Sequence, residues 1–293
     1  MGLIATSISQ QIQKLSDRGM TLDLETEKIE EILLDIGYYR LGFYWNPFER
    51  NRKHEFEDGT KFSDALALYY LDVDLRNILL KCLNRIEINF RTKVVYYASN
   101  KYQNATWFAD KKVIRNEFVE SFTKHYDSYF IENNKPIKKH HQKYINDKYA
   151  PAWKTLEFFT FGTIFKIYRS LNDENLKLEI ASKFGFKHIK TFENYLNTII
   201  FIRNTCAHGG VLFDLNTPTE IRITPLISFS NHNNHKHSLD SCIKIILYFL
   251  QTISNDRKIE TEKQIDKLLY KSCENQTIKK IIENKMGCQK INI

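Results

Sequence analysis

The sequence predicts an all-α fold, and three observations carry the prediction. Glycine and proline are scarce, 10 and 5 in 293 residues, too few for the turns of an all-β sandwich or barrel. A stretch beginning after Asp58-Gly59 runs without either residue for about ten helical turns. Within it Leu75, Leu79, Cys82, Ile86, Phe90, Val94 and Tyr97 recur at three- and four-residue spacing, the period of a helix with one buried stripe. Hydrophobic residues at 42% and charged residues at 27% are ordinary for a soluble globular chain. The length suffices for one large domain or one domain with an appendage.

In chain order, residues 7–18 and 24–36 read as two short amphipathic helices separated by the turn-like RGMTLD. IGYYRLGFYWNPF follows, ending at a proline. Its aromatics read as core under a helix corner, with base stacking as the alternative. The stretch from residue 56 gives the long central helix, with Glu87 and Arg91 as an i,i+4 pair on its flank. NNKPIKKHHQKYINDK, residues 133–148, is polar and basic and reads as a solvated loop or helix edge. Its adjacent His140 and His141 diverge by about 100° on a helix and lack a chelating neighbour in sequence. A metal site is therefore not expected there.

Residues 151–171 open with a helix-compatible proline and break near Gly162, and residues 188–207 form a further helix. The stretch 211–229, with Pro218 and Pro225, reads as a hairpin or an extended wrap, and the histidine-bearing 230–238 as a solvated loop. Helices over 239–253 and 259–284 complete the chain. The predicted organisation is a helical domain over 1–214 and a C-terminal extension over 215–293 packed on it.

A net charge of +8 favours a polyanionic partner, although a basic surface without one is the plainer alternative. Cys82, Cys206, Cys242, Cys273 and Cys288 are odd in number and contain no CxxC pair, so reduced, mostly buried thiols in a cytoplasmic protein are expected. The N-terminal sequence lacks the apolar core of a signal peptide. No apolar run approaches the roughly 20 residues a membrane helix requires.

The most informative stretch is RNTCAHGG, residues 203–210. On a helical wheel Ile189, Phe192, Leu196, Ile199 and Cys206 fall within about 60° of Arg203, which therefore sits at the centre of the apolar stripe. A guanidinium there needs a carboxylate, a phosphate or a wet cleft, because a lone buried charge costs several kcal/mol. Asn204 and His208 lie on a neighbouring line, and Gly209-Gly210 can end the helix. A guanidinium, an amide and an imidazole gathered at one helix end suit RNA cleavage: the imidazole moves protons near neutral pH and the guanidinium holds a phosphate. The structural alternative is a helix-end histidine favoured by the dipole, with Arg203 paired to an acid on another helix, Glu157 or Glu193 for example.

The chain also resembles the AbiD/AbiF-type abortive-infection proteins of bacteria, a branch of the HEPN superfamily. The ordered stretches IQKLSDRGM, IGYYRLGFYWNPF, FEDGTKFSDALALYYLDVDLRNILLKCLNRIEINFRTKVVYY, PAWKTLEFFTFGTIFKIY and YLNTIIFIRNTCAHGGVLFD carry the resemblance, over roughly residues 8 to 214. It implies a HEPN-like helical bundle and a metal-independent endoribonuclease that needs no cofactor and dimerises to bring two R-x4-6-H motifs into one cleft. Arg203, Asn204 and His208 match that motif. Gly209 stands where the family often has a second histidine. Some relatives work with a structured noncoding RNA, which makes RNA a regulator as well as a substrate.

These readings converge on a cytoplasmic phage-defence effector. His208 is the expected acid or base, Arg203 stabilises the phosphate and Asn204 positions it. Lys135, Lys138, Lys139 and Lys143 are the expected RNA-backbone contacts. A homodimer with the 188–208 helix near its two-fold axis would accommodate Arg203 on the stripe. A non-catalytic RNA-binding module and a protein-binding adaptor are the rival readings.

Overall fold

The computed structural model describes residues 4–122, 124–230 and 234–288. Among them the chain is helical, with no named strand. The order is α1 (Ile8–Asp17), α2 (Thr26–Asp35), α3 (Tyr38–Trp45), α4 (Phe62–Tyr102), α5 (Asn116–Phe122), α6 (Ser128–Asn133), α7 (Lys135–Lys143), α8 (Ala152–Thr155), α9 (Phe161–Ser170), α10 (Glu174–Ser182), α11 (Ile189–Ala207), α12 (Leu239–Ile253), α13 (Asn255–Ser272) and α14 (Gln276–Ile281).

The central helix forms as its periodicity predicts. α4 is 41 residues long, about 60 Å at 1.5 Å per residue. It starts beyond a turn in which Gly59 has φ +81° and stops at Gln103, which has φ +48°. Helices α3, α8 to α14 and the 3-10 turns beside them pack around it, α3, α11, α12 and α13 most extensively. Because neighbours cover several sides, α4 buries charged residues as well as its apolar stripe: Asp72, Arg76, Glu87 and Arg91 are all less than 10% exposed. The Glu87–Arg91 pair expected on the helix flank forms, and it lies inside the bundle.

Local sequence explains the other departures. The 259–284 helix is two helices, because the Asn275 side chain accepts from the amides of Thr277 and Ile278 and starts α14. α13 begins earlier than expected, where Ser254 caps it. The break in 151–171 falls before Gly162, at Thr160, whose hydroxyl caps α9. Residues 135–143, read as a loop or helix edge, form α7 with Pro136 in its first turn.

Of the two readings of 211–229, the extended wrap is the one observed. Two prolines deny the segment ladder donors. It is held instead by α11: Asn194 Nδ2 donates to the Glu220 carbonyl and Asn194 Oδ1 accepts from the Arg222 amide, both at 2.9 Å. In the aromatic stretch Tyr44, Trp45 and Phe48 are core, whereas Tyr39 and Phe43 face outward. Of the loop 230–238, residues 231–233 lie outside the described residues. No described helix is long and apolar enough to cross a membrane.

Candidate active site

The end of α11 is built by its last two glycines. His208 is the C-cap. Gly210 N donates to the Thr205 carbonyl at 2.7 Å and Gly209 N to the Cys206 carbonyl at 3.3 Å, the paired bonds of a Schellman motif. Gly209 takes φ +66°, the left-handed conformation that costs a residue with a Cβ about 1–2 kcal/mol. At Gly210 space is the constraint, since a Cβ would lie 2.7 Å from Thr205 Cγ2 and 3.1 Å from the Thr205 carbonyl oxygen.

This cap is tied to α3 and α4 by a buried polar network that sequence reasoning missed. Arg40 donates to the Gly209 carbonyl, and Arg76 Nη1 donates to the Gly210 carbonyl at 2.9 Å. Asp72 Oδ1 accepts from the amides of Leu212 and Phe213, at 2.9 Å each, and Asp72 Oδ2 accepts from Arg76 and from the Tyr44 hydroxyl. Burial pushes the Asp72 carboxyl up, with the Arg76 charge and the donated bonds opposing it. Burial, and then the Asp72 charge, push the Tyr44 phenol up to about 12, so it remains a donor. One signal was available: Asp72 and Arg76 stand at i,i+4 inside the apolar stripe of α4.

Arg203 does lie between buried neighbours, Leu196, Ile199, Ile202 and Cys206 among them. Its carboxylate partner is neither Glu157 nor Glu193 but Glu87, with Nε 3.3 Å from Glu87 Oε2. That contact is an ion pair without hydrogen-bond geometry, since Nε is buried and has no hydrogen-bond partner. Glu87 also accepts from Arg91 at 2.8 Å, and Arg91 reaches Glu157 at 3.5 Å and the Phe159 carbonyl at 3.0 Å. Glu193 instead lies 4.0 Å from Arg169. Expected to meet phosphate, the Arg203 charge meets a carboxylate of its own chain, because α4 turns Glu87 inward toward α11.

The other two predicted residues face solvent. Asn204 and His208 are exposed, and Asn204 Oδ1 accepts from Arg203 Nη1 at 3.4 Å. The His208 imidazole makes no hydrogen bond among the described residues, and only its backbone N–H is engaged, with the Asn204 carbonyl at 3.0 Å. The Arg203 side chain is 27% exposed, so its outer nitrogens border the surface that carries the amide and the imidazole.

The predicted lysines divide. Lys135, Lys139 and Lys143 are exposed at four-residue spacing on α7, one line of a helix surface, while Lys138 pairs with Glu132 at 2.6 Å. Between the lysines, His140 Nε2 lies 3.0 Å from Asp147 and His141 Nε2 lies 2.8 Å from the Tyr126 hydroxyl. Burial and then His140 hold the His141 imidazole below its usual range. No group of three metal-ligating side chains gathers among the described residues. All five cysteines are free, four of them buried and Cys273 partly exposed.

Fold and site together define an all-α protein with an Arg-x4-His constellation at a capped helix end, braced by a buried acid–base network. A family model described as Abi-like protein matches residues 31–214. The match spans more than half of the chain and contains α3, α4, α11 and the whole constellation, so the chain belongs to the Abi-like protein family. Membership points to abortive infection, a defence against phage. No curated protein matches the chain, and no solved structure does.

Proposed function

We infer that this protein is an abortive-infection effector of the HEPN type that cleaves RNA without a metal ion. The observation that carries the reading is the helix end itself. Asn204 and His208 stand exposed beside the half-buried guanidinium of Arg203, on a cap that six hydrogen bonds and Gly209 hold in place.

In this reading His208 takes the proton of a ribose 2′-hydroxyl. The freed oxygen attacks the adjacent phosphorus and the P–O5′ bond breaks. The departing 5′-oxygen takes a proton, supplied by the His208 imidazolium directly or through water, to leave a 2′,3′-cyclic phosphate and a 5′-hydroxyl. The outer nitrogens of Arg203 stabilise the charge that grows on the phosphate, and Asn204 orients it. A homodimer would set two such ends across one cleft. RNA is the partner, as substrate and, following the resemblance, as a structured noncoding regulator.

A second reading has an observation of its own. The Arg203–Glu87 contact is what a structural arginine makes, and it favours a module that binds RNA without cutting it. His208→Ala separates the two, because His208 is exposed and its imidazole makes no hydrogen bond among the described residues. Catalysis requires that His208→Ala abolish toxicity, phage defence and RNA cleavage while the melting temperature stays put. Cleavage should continue in EDTA and stop at a single 2′-deoxy substitution placed at the mapped cut. A His208→Ala protein that still cuts RNA would discard the catalytic reading.

A further inference from the structure

The exposed face of α11 does not end at the motif. At about 100° per residue, Lys190, Asn197, Asn204 and His208 fall within about 40° of one another, so one line of side chains runs the length of the helix. Lys190, Asn197, Asn204 and His208 are all exposed. Beside the N-terminal part of this line, the extended segment held by Asn194 and Tyr195 forms the opposite wall of a groove of about 720 Å³.

The groove's chemistry is that of an anion track. Arg169, Lys190, Arg222 and Lys236 line it against two carboxylates, Glu193 and Glu220. Lys236 is matched to Glu220 at 2.5 Å, and Arg169 lies 4.0 Å from Glu193. Lys190 and Arg222 have no carboxylate partner among the described residues. Asn197, Thr191 and Thr219 add neutral hydrogen-bonding groups. Asn197 precedes Asn204 by seven residues, roughly 10 Å along the helix axis, a gap that a short run of nucleotides bridges.

We propose that this groove binds the sugar–phosphate backbone of the RNA strand beside the cut, with Lys190 and Arg222 as its phosphate contacts, and delivers that strand to His208. The proposal rests on the RNA-cleaving reading. It gives the strand a path along the exposed face of the helix that carries the motif. Two unmatched cations share the groove with amides and hydroxyls, which suits a backbone read by charge and not by base sequence.

The test uses full-length protein carrying His208→Ala, so that binding is measured without cleavage, and a labelled single-stranded RNA titrated at several salt concentrations. Lys190→Glu with Arg222→Glu should weaken binding at least tenfold. It should also flatten the log–log salt slope by about 1.4, at about 0.7 for each phosphate that the protein no longer neutralises. Lys112→Glu with Lys267→Glu, exposed and outside the groove, is the control and should change the slope less. With the motif intact, the groove pair should raise KM for RNA and leave kcat unchanged.

Unchanged affinity and slope in the groove pair, in a protein that binds RNA and needs His208 to cut it, would overturn the track and leave the cleavage reading standing. An equal loss in the control pair would overturn it too, since the effect would then be net charge. Absence of RNA binding by the parent protein would remove the cleavage reading and the track with it. Circular dichroism and a melting curve for each variant keep loss of fold apart from loss of binding.

Discussion

Arg203 on α11 and Glu87 on α4 face each other at 3.3 Å inside one chain, and Glu87 is shared with Arg91. With Glu157 the set comprises two guanidiniums and two carboxylates, balanced in charge. Their exposures differ: the Glu87 and Arg91 side chains are about 10% exposed, and that of Glu157 is 61% exposed. A buried pair broken by removing one partner leaves the other charge stranded, at a cost of about 3–5 kcal/mol, whereas a surface pair is worth about 0–1 kcal/mol. Glu87→Ala should therefore lower the free energy of unfolding by about 3 kcal/mol or more, and Glu157→Ala by less than about 1 kcal/mol. Urea denaturation checks both. Equal effects would mean that Glu87 is solvated.

Asp72 on α4 holds the chain just beyond the cap, with Arg76, Tyr44 and two backbone amides all donating to it. Asp72→Ala strands the buried Arg76 charge and orphans the Leu212 and Phe213 amides. The expected loss is about 3–5 kcal/mol of stability. Arg40→Ala should cost less, because Arg40 is only part-buried, yet, on the proposed RNA-cleaving reading, should still lower cleavage by freeing the Gly209 carbonyl behind His208. Urea unfolding and cleavage rates on the same samples check the pair. Full cleavage by a stable Arg40→Ala protein would show that His208 does not depend on the fixed turn.

The two glycines should fail for different reasons. Gly209→Ala meets no atom closer than 3.9 Å, so its cost is the left-handed backbone alone, about 1–2 kcal/mol. Gly210→Ala pushes a Cβ against Thr205, including its backbone oxygen, and should cost more. Thermal unfolding of both variants gives the order, and Gly209→Ala as the more damaging of the two would contradict the cap geometry.

Cys206 lies within the motif but is buried, which disfavours it as a nucleophile. Burial pushes its thiol up to about 12, and only the thiolate reacts. Burial raises the Cys82, Cys242 and Cys288 thiols as well. At pH 8, iodoacetamide on the native protein should label Cys273 first, the one thiol that is not buried. In denaturant all five should react. Mass spectrometry of the digested protein reads the order, and early labelling of Cys206 would show that the end of α11 opens in solution.

Much of the fold was legible because helix formation is local. The 41-residue α4, the limits of α11 and α12 and the glycine stop after His208 follow from periodicity and from residues within a turn of each boundary. So does the placing of Arg203 on an apolar stripe and of Asn204 and His208 beside it, because a helical wheel fixes each side chain's angle around its own axis. The wheel says nothing of what stands opposite. Glu87 is more than a hundred residues from Arg203 in the chain, and only the packing of α11 on α4 makes it the partner in place of Glu157 or Glu193. The bracing of the cap by Arg40, Asp72 and Arg76, and the groove closed by the wrap after α11, are likewise long-range. They bring together side chains from elements far apart in sequence, so although the i,i+4 spacing of Asp72 and Arg76 within the α4 stripe was legible, only tertiary packing supplied their partners.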